Sequence, residues 1–345
     1  MESSRARPGR RARPSRRRPL LHIALAAIVI VGGTAMGTVY VKAQAHSDSD
    51  AVSSSPSPSA TSSPSADGEA SVEPVTEPSV DRGQLLADAL TSVTVPSRAR
   101  VSAAVLDLES GESAAYGDAA FDTASIVKVD ILATLLLQAQ DAGRHLTATE
   151  KTYATAMIEN SDNASASALW KIIGEAAGLD AANKRFGLTD TTGGDGMLWG
   201  LTRTTAADQL TLLQQVFGDD AKLSAASQAY VEGLMRQIAA DQHWGVSAAA
   251  DVPQPSAGGA PTAWALKNGW LARSTTGLWD INSIGRVTVD GHDYLVTVLS
   301  DGNATQAGGI SLVEKAARAA VSAFTGGDGE SSSASAAASP SSAAD

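Results

Sequence analysis

The chain has no cysteine. Disulfides, thiolate metal sites and cysteine nucleophiles are therefore excluded. Histidine is scarce: the five are His22, His46, His145, His243 and His292, and no pair has the spacing of a zinc-hydrolase helix. No metal centre is expected. A dinucleotide-binding glycine fingerprint, a phosphate-binding Walker loop and a G-x-S-x-G elbow are also missing, and no cofactor is expected.

Basic residues are the minority and are unevenly placed. The formal net charge is −11. Residues 1–19 hold eight arginines and one acid, Glu2, whereas from Ala43 onward there are 17 basic and 36 acidic side chains. An acidic body repels a polyanion, so nucleic acid is not an expected partner. The arginines form a basic cytoplasmic tail, 1–19. Leu20 to Val41 is almost uncharged and mostly apolar, close to the ~20 residues a helix needs to cross a bilayer. With arginines on its cytoplasmic side, 20–41 is predicted to be a single-pass signal-anchor. The rest would then lie outside the cytoplasm at the cell membrane. Ala43-Gln44-Ala45 is similar to a signal-peptidase site, so cleavage after Ala45 and secretion is the alternative.

Residues 42–80 are rich in Ser, Pro, Ala and acids. Such a segment buries too little apolar surface to order itself, and the tail 326–345 has the same character. One globular domain, 81–325, remains, and it is expected to be monomeric. Apolar residues from Leu85 to Val93 recur at helical spacing behind Asp81, a good N-cap. Arg100 to Leu108 alternates like a strand, turns at Ser110-Gly111 and returns through Ser113 to Tyr116. Ala263 to Trp270, Ile281 to Val289 and Tyr294 to Ser300 read as three more strands. Asp290-Gly291 makes a tight hairpin between the last two. A helix from about Ser311 to Phe324 closes the domain, and Thr123 to Ala239 is mostly helical. Two strands, a helical block, three strands and a helix predict an α/β domain, one antiparallel sheet with helices on both sides.

Three short motifs carry chemistry. In "TASIVKVDIL", Ser125 and Lys128 stand at i and i+3, neighbours on one helical face. A lysine in so apolar a run either extends its amine to solvent or activates the serine, by orienting it as an ammonium or by taking its proton as a desolvated amine. In "IENSDNASASALW", Ser161 can relay a proton, and Asn163 can hold a lysine and a substrate amide together. The same tripeptide is also a good N-cap for the helix that follows. In "WALKNGWLAR", Lys267 can bind an anionic substrate and Gly269 lets a backbone approach the strand closely; Asn268-Gly269 is equally a hairpin turn. Trp244, Trp264, Trp270 and Trp279 gather around this motif, as cleft lining or as core.

In this order the three motifs resemble the S-x-x-K, S-D-N and K-T-G set of class A β-lactamases and serine penicillin-binding enzymes. The resemblance spans most of 81–325, including "TTAADQLTLLQQVF" from Thr204. It implies a β-lactamase-like three-layer fold with a mostly helical insert. It also implies Ser125 as acylated nucleophile, Lys128 as its partner, and Ser161 for proton transfer to the leaving nitrogen. Asn163, Lys267, Asn268 and Gly269 would bind substrate, Lys267 also tuning Ser161. The backbone N–H groups of Ser125 and Trp270 would form the oxyanion hole. The substrate would be a small-molecule β-lactam or a cell-wall peptide. Hydrolysis of the β-lactam amide is the leading expectation, D,D-peptidase-like action the second, and a β-lactamase-like binding module without turnover the third.

Three departures qualify it. Asn268 replaces the usual Thr or Ser, so carboxylate recognition by its carboxamide is expected to be altered. Ser125 and Ser161 are closer in sequence than in typical class A enzymes, which implies a more open cleft. The glutamate that those enzymes use for deacylation is missing: Ala164 to Arg203 holds only Glu175, inside an apparent helix, with Asp190 and Asp195 further on. Asp195 is the candidate substitute, and solvated loop residues are the other reading of both aspartates. Arg273 and Arg286 are the candidates to help Lys267 with a carboxylate.

Overall fold

The computed structural model describes residues 80–251 and 263–325. The basic tail, the apolar span 20–41, the linker up to residue 79 and the tail from 326 lie outside the described residues. Among the described residues no helix is long and apolar enough to cross a membrane.

The domain opens with α1 (Arg82–Thr91), capped by Asp81, whose carboxylate accepts from Gln84 N at 3.0 Å. Strands β1 (Arg100–Asp107) and β2 (Ser113–Tyr116) follow, then the two-residue β3 (Phe121–Asp122). The helical block contains α2 (Val127–Asp141), α3 (Ala148–Glu159), α4 (Asn163–Ile173) and α5 (Glu175–Phe186). After β4 (Arg203–Thr204), which pairs with β3, come α6 (Ala206–Phe217) and α7 (Ala225–Met235). The chain ends in β5 (Trp264–Ala272), β6 (Trp279–Val289), β7 (His292–Asn303) and α8 (Gln306–Thr325).

Five strands form one antiparallel sheet in the order β2-β1-β7-β6-β5. Both faces are covered, and alternate side chains feed two cores. From β1, Ala103 and Val105 enter the core under α1 and α8, while Ala104 and Leu106 enter the core shared with α2, α4, α5 and α6. This is the predicted three-layer arrangement. Asp290 and Gly291 have φ of +52° and +86°, as a two-residue hairpin with both centres left-handed requires.

Three local expectations change. "WKIIGEAAG" is two helices, because Gly174 at φ +96° ends α4 and α5 starts at Glu175. The last helix starts at Gln306 and not near Ser311. A side chain at Gly309 would come within 2.4 Å of Ile281 on β6, so this glycine serves close packing. Leu85 is exposed, while Leu86 and Leu90 supply the buried face of α1 and Val93, just beyond its end, is buried with them.

The helix α2 carries an unusual cost. Asp130 is buried between α2 and α5 and accepts from Asn183 Nδ2 at 3.1 Å. Burial pushes its carboxyl up to about 7, against the lowering effect of the Asn183 bond. Between the ordinary value of 3.8 and about 7 the unfolded chain has released this proton while the folded chain keeps it. Stability therefore falls as pH rises through that window and levels off above it. Denaturant midpoints at pH 5 and pH 8 should differ less in Asp130→Asn than in the wild type; equal differences would show that Asp130 does not control the window.

Candidate active site

Ser125 lies in a 3₁₀ turn, Ala124–Ile126, that leads into α2. The turn is fixed from several sides. Asn282 on β6 donates through Nδ2 to Asp122 O (2.9 Å) and Thr123 O (3.0 Å), and its Oδ1 accepts from Ser300 N. Thr123 N donates to Thr202 O at 2.9 Å. The Asp122 carboxylate accepts from Arg203 and Arg273. Ala124 has φ +49° and Ser161 φ +54°. Non-glycine residues take this conformation at a cost of about 1 kcal/mol or more, so the surrounding contacts must impose it.

The Lys128 side chain is fully buried. Its Nζ has four oxygens around it: Ser125 Oγ at 2.9 Å, Ser161 O at 2.7 Å, Ser161 Oγ at 3.0 Å and Asn163 Oδ1 at 2.9 Å. Burial lowers its pKa from 10.5 to about 7, against the opposing pull of Asp162. Ser161 O and Asn163 Oδ1 can only accept. A neutral amine has two N–H groups, and these two oxygens use both. Its lone pair is then left for a serine hydroxyl.

The two readings of the S-D-N tripeptide are both realised, by different residues. Asp162 caps α4, accepting from Ser165 N at 2.7 Å. Ser161 and Asn163, on either side, turn to Lys128.

Lys267 is central in β5, which excludes the hairpin reading of Asn268-Gly269. Its Nζ is buried and donates to Asn268 O at 3.1 Å and Gln242 Oε1 at 3.5 Å; among the described residues it makes no hydrogen bond to Ser161. Burial holds its pKa well below 10.5, and the nearby Lys128 lowers it further.

Asn268 is not a substrate-binding group here. Its side chain is fully buried: Nδ2 donates to Gln242 O (2.8 Å) and Trp244 O (2.9 Å), and Oδ1 accepts from Ser283 Oγ (2.6 Å). Both of its N–H groups are committed to holding the 242–244 segment against β5, so none is left for a carboxylate. Gly269 also has a different role from the expected one. A Cβ there would lie 2.7 Å from Thr123 O and 2.8 Å from Ser125 N. The backbone it admits is the protein's own: the turn that carries Ser125 sits against β5, at the edge of the described sheet. This brings the Ser125 N–H beside the strand that carries Trp270.

A cleft of about 550 Å³ opens over Ser125. Asn163, Ser167, Trp199, Trp270 and Arg273 are among its lining residues. Of the four clustered tryptophans, only Trp270 lines it. Trp264 is buried in the core against His243, and Trp244 packs edge-on against Trp270. Arg273 reaches the cleft wall with its guanidinium paired to Asp122 and Asp280, while Arg286 is held elsewhere by Glu232 and Asp293.

None of the three acids lines the cleft. Asp195 is exposed, Asp190 lines a separate depression with Asp118, and Glu175 starts α5. Sequence reading missed Trp199, whose ring centroid is 5.0 Å from Lys128 Nζ, and Asn282, which ties down the turn that carries Ser125. The one local hint for Trp199 was an apolar "MLW" inside a glycine- and threonine-rich loop.

The profile of the beta-lactamase enzyme family matches residues 145–324. That span contains the second and third motifs but starts after Ser125 and Lys128, which the geometry adds. Among solved structures, PBP-A is similar at 19% identity, with a TM-score of 0.58 over 70% of this chain and 96% of that one. A PBP-A variant in an acyl-enzyme complex with penicillin G is similar at 20% identity, with a TM-score of 0.57 over 70% of this chain and 97% of that one. A class A beta-lactamase from Bacteroides cellulosilyticus gives 14% identity and a TM-score of 0.57 over 72% of this chain and all, 100%, of that one. No curated protein matches. At these identities the likeness is one of fold.

Gly269→Ala should force the turn off β5. A methyl group at under 3 Å from backbone atoms has no flexible neighbour to displace. Overpacking of this kind costs about 1–3 kcal/mol. The measurable result is a loss of at least tenfold in acylation rate at Ser125 by an active-site label, with a smaller fall in Tm. An unchanged acylation rate would mean that the close approach does not set the nucleophile.

Proposed function

This chain belongs to the beta-lactamase enzyme family, and from that footing we propose that it is a serine enzyme acylated by penicillins and by related cell-wall peptides, with an acyl-enzyme that clears slowly. Ser125 Oγ passes its proton to the neutral Lys128 amine and attacks the amide carbonyl. The N–H groups of Ser125 and Trp270 receive the developing oxyanion, a type of contact worth roughly 3 kcal/mol per donor. Lys128 returns the proton through Ser161 Oγ to the leaving nitrogen. Asn163 holds Lys128 and the substrate amide, and a substrate carboxylate beside Lys267 favours its ammonium form. Residues 20–41 hold the domain outside the cytoplasm.

The observation that carries this reading is the pairing of a fully bonded Ser125–Lys128–Ser161–Asn163 group with a cleft that, among the described residues, no carboxylate lines. The first supports acylation. The second removes the usual base for activating a deacylating water. Rapid β-lactam hydrolysis, the leading expectation from the motifs, lacks a group of this kind. A binding module without turnover would have no use for three side chains converging on one buried amine.

A fluorescent penicillin should label the wild type and not Ser125→Ala, and the label should persist for hours. Clearance within minutes would mark a β-lactamase, and an unlabelled wild type would overturn penicillin acylation. The acylation rate should rise with pH around 7 as Lys128 loses its proton and level off above. A flat profile between pH 6 and 8 would remove Lys128 from the base's role.

A further inference from the structure

Besides its four oxygens, Lys128 Nζ has an aromatic ring beside it. Trp199 opens a 3₁₀ turn, Trp199–Leu201, in the segment between α5 and β4. Its ring centroid is 5.0 Å from Nζ, and its indole Nε1 donates to Ser167 Oγ on α4 at 3.1 Å. The ring packs against the core of the helical block and lines the cleft. The turn is fixed as well: Leu201 N donates to Leu198 O at 2.8 Å and Thr202 N to Trp199 O at 3.1 Å. The neighbouring Met197 and Leu198 are also apolar, and both line the cleft.

We propose that Trp199 is a positioning residue that shields Lys128 and the acyl-serine from water, so that one ring both keeps the amine available as a base and prolongs the acyl-enzyme. The second half rests on the acyl-serine reading; the first does not. Two effects of the ring oppose each other. Its π face attracts an ammonium, which favours the charged form. Its bulk excludes water, which disfavours that form. Burial is the first cause of the lowered Lys128 pKa, and in this proposal the ring's share of that burial outweighs its attraction for the ammonium. The charged groups facing the amine are Asp162 at the start of α4, which favours the ammonium, and Lys267 on β5, which disfavours it. The turn carrying Trp199 contributes no charge.

The test uses the full chain in detergent, with lysine ¹³C-labelled at Cε. Lys128 is titrated by NMR in the wild type, Trp199→Ala and Trp199→Phe, and the same samples are then labelled with fluorescent penicillin. The titration midpoint of Lys128 should move up by at least one pH unit in Trp199→Ala and stay close to the wild type in Trp199→Phe, which keeps a ring but loses the Ser167 bond. A purely structural role would lower the thermal midpoint of both variants without moving the titration. The penicillin label should decay at least tenfold faster in Trp199→Ala. An unmoved midpoint overturns the shielding of the amine. A moved midpoint with unchanged label decay overturns the shielding of the acyl group. A moved midpoint in a protein that penicillin never labels supports the first half and rejects the acyl-serine reading with the second.

Discussion

Lys128 Nζ sits out of water with four oxygens within 3.0 Å of it, and the site depends on satisfying that one amine. A lysine this deep is costly in either form. As an ammonium it loses hydration, and as an amine it gives up a proton that it would hold in water. The acceptors come from places that only the fold brings together: the start of α2, the turn before α4 and the first residue of α4. Ser161 takes a left-handed conformation there, and Asp162 pays for part of this by capping the helix between two residues that face the lysine.

The same economy operates in β5. Alternate residues of a strand face opposite ways, and the third motif divides accordingly. Lys267 lies near Lys128, Asn268 ties the strand to residues 242–244, and Gly269 leaves room for the backbone of the turn that carries Ser125. The two side-chain N–H groups of Asn268 are fully used within the protein, so the residue acts as a strut. Asn282, opposite Gly269 on β6, grips the same turn from the other side.

Much of the fold was legible because it depends on short-range pattern. Asp81 as a cap, Asp290-Gly291 as a hairpin and the strand–helix–strand order follow from backbone preferences within a few residues. The errors have the opposite cause. Gly174 ended a helix whose apolar spacing ran on, whereas Gly309 lies inside another, packed against Ile281 of β6. Apolar spacing does not record which glycine will be left-handed and which will be packed.

For the site, the sequence by itself determined which residues could do chemistry and which pairs were already adjacent. Ser125 and Lys128 share a face because they are one helical turn apart, and Asp162 can cap because it precedes α4. Only the tertiary structure decided that Ser161 and Asn163 meet Lys128, that Asn268 turns to residues 242–244, and that the Trp199 ring lies beside the amine. The reason is the range of the forces involved. Backbone geometry fixes neighbours three or four residues away, whereas contacts between distant segments are set by how helices and sheet pack once both faces are buried.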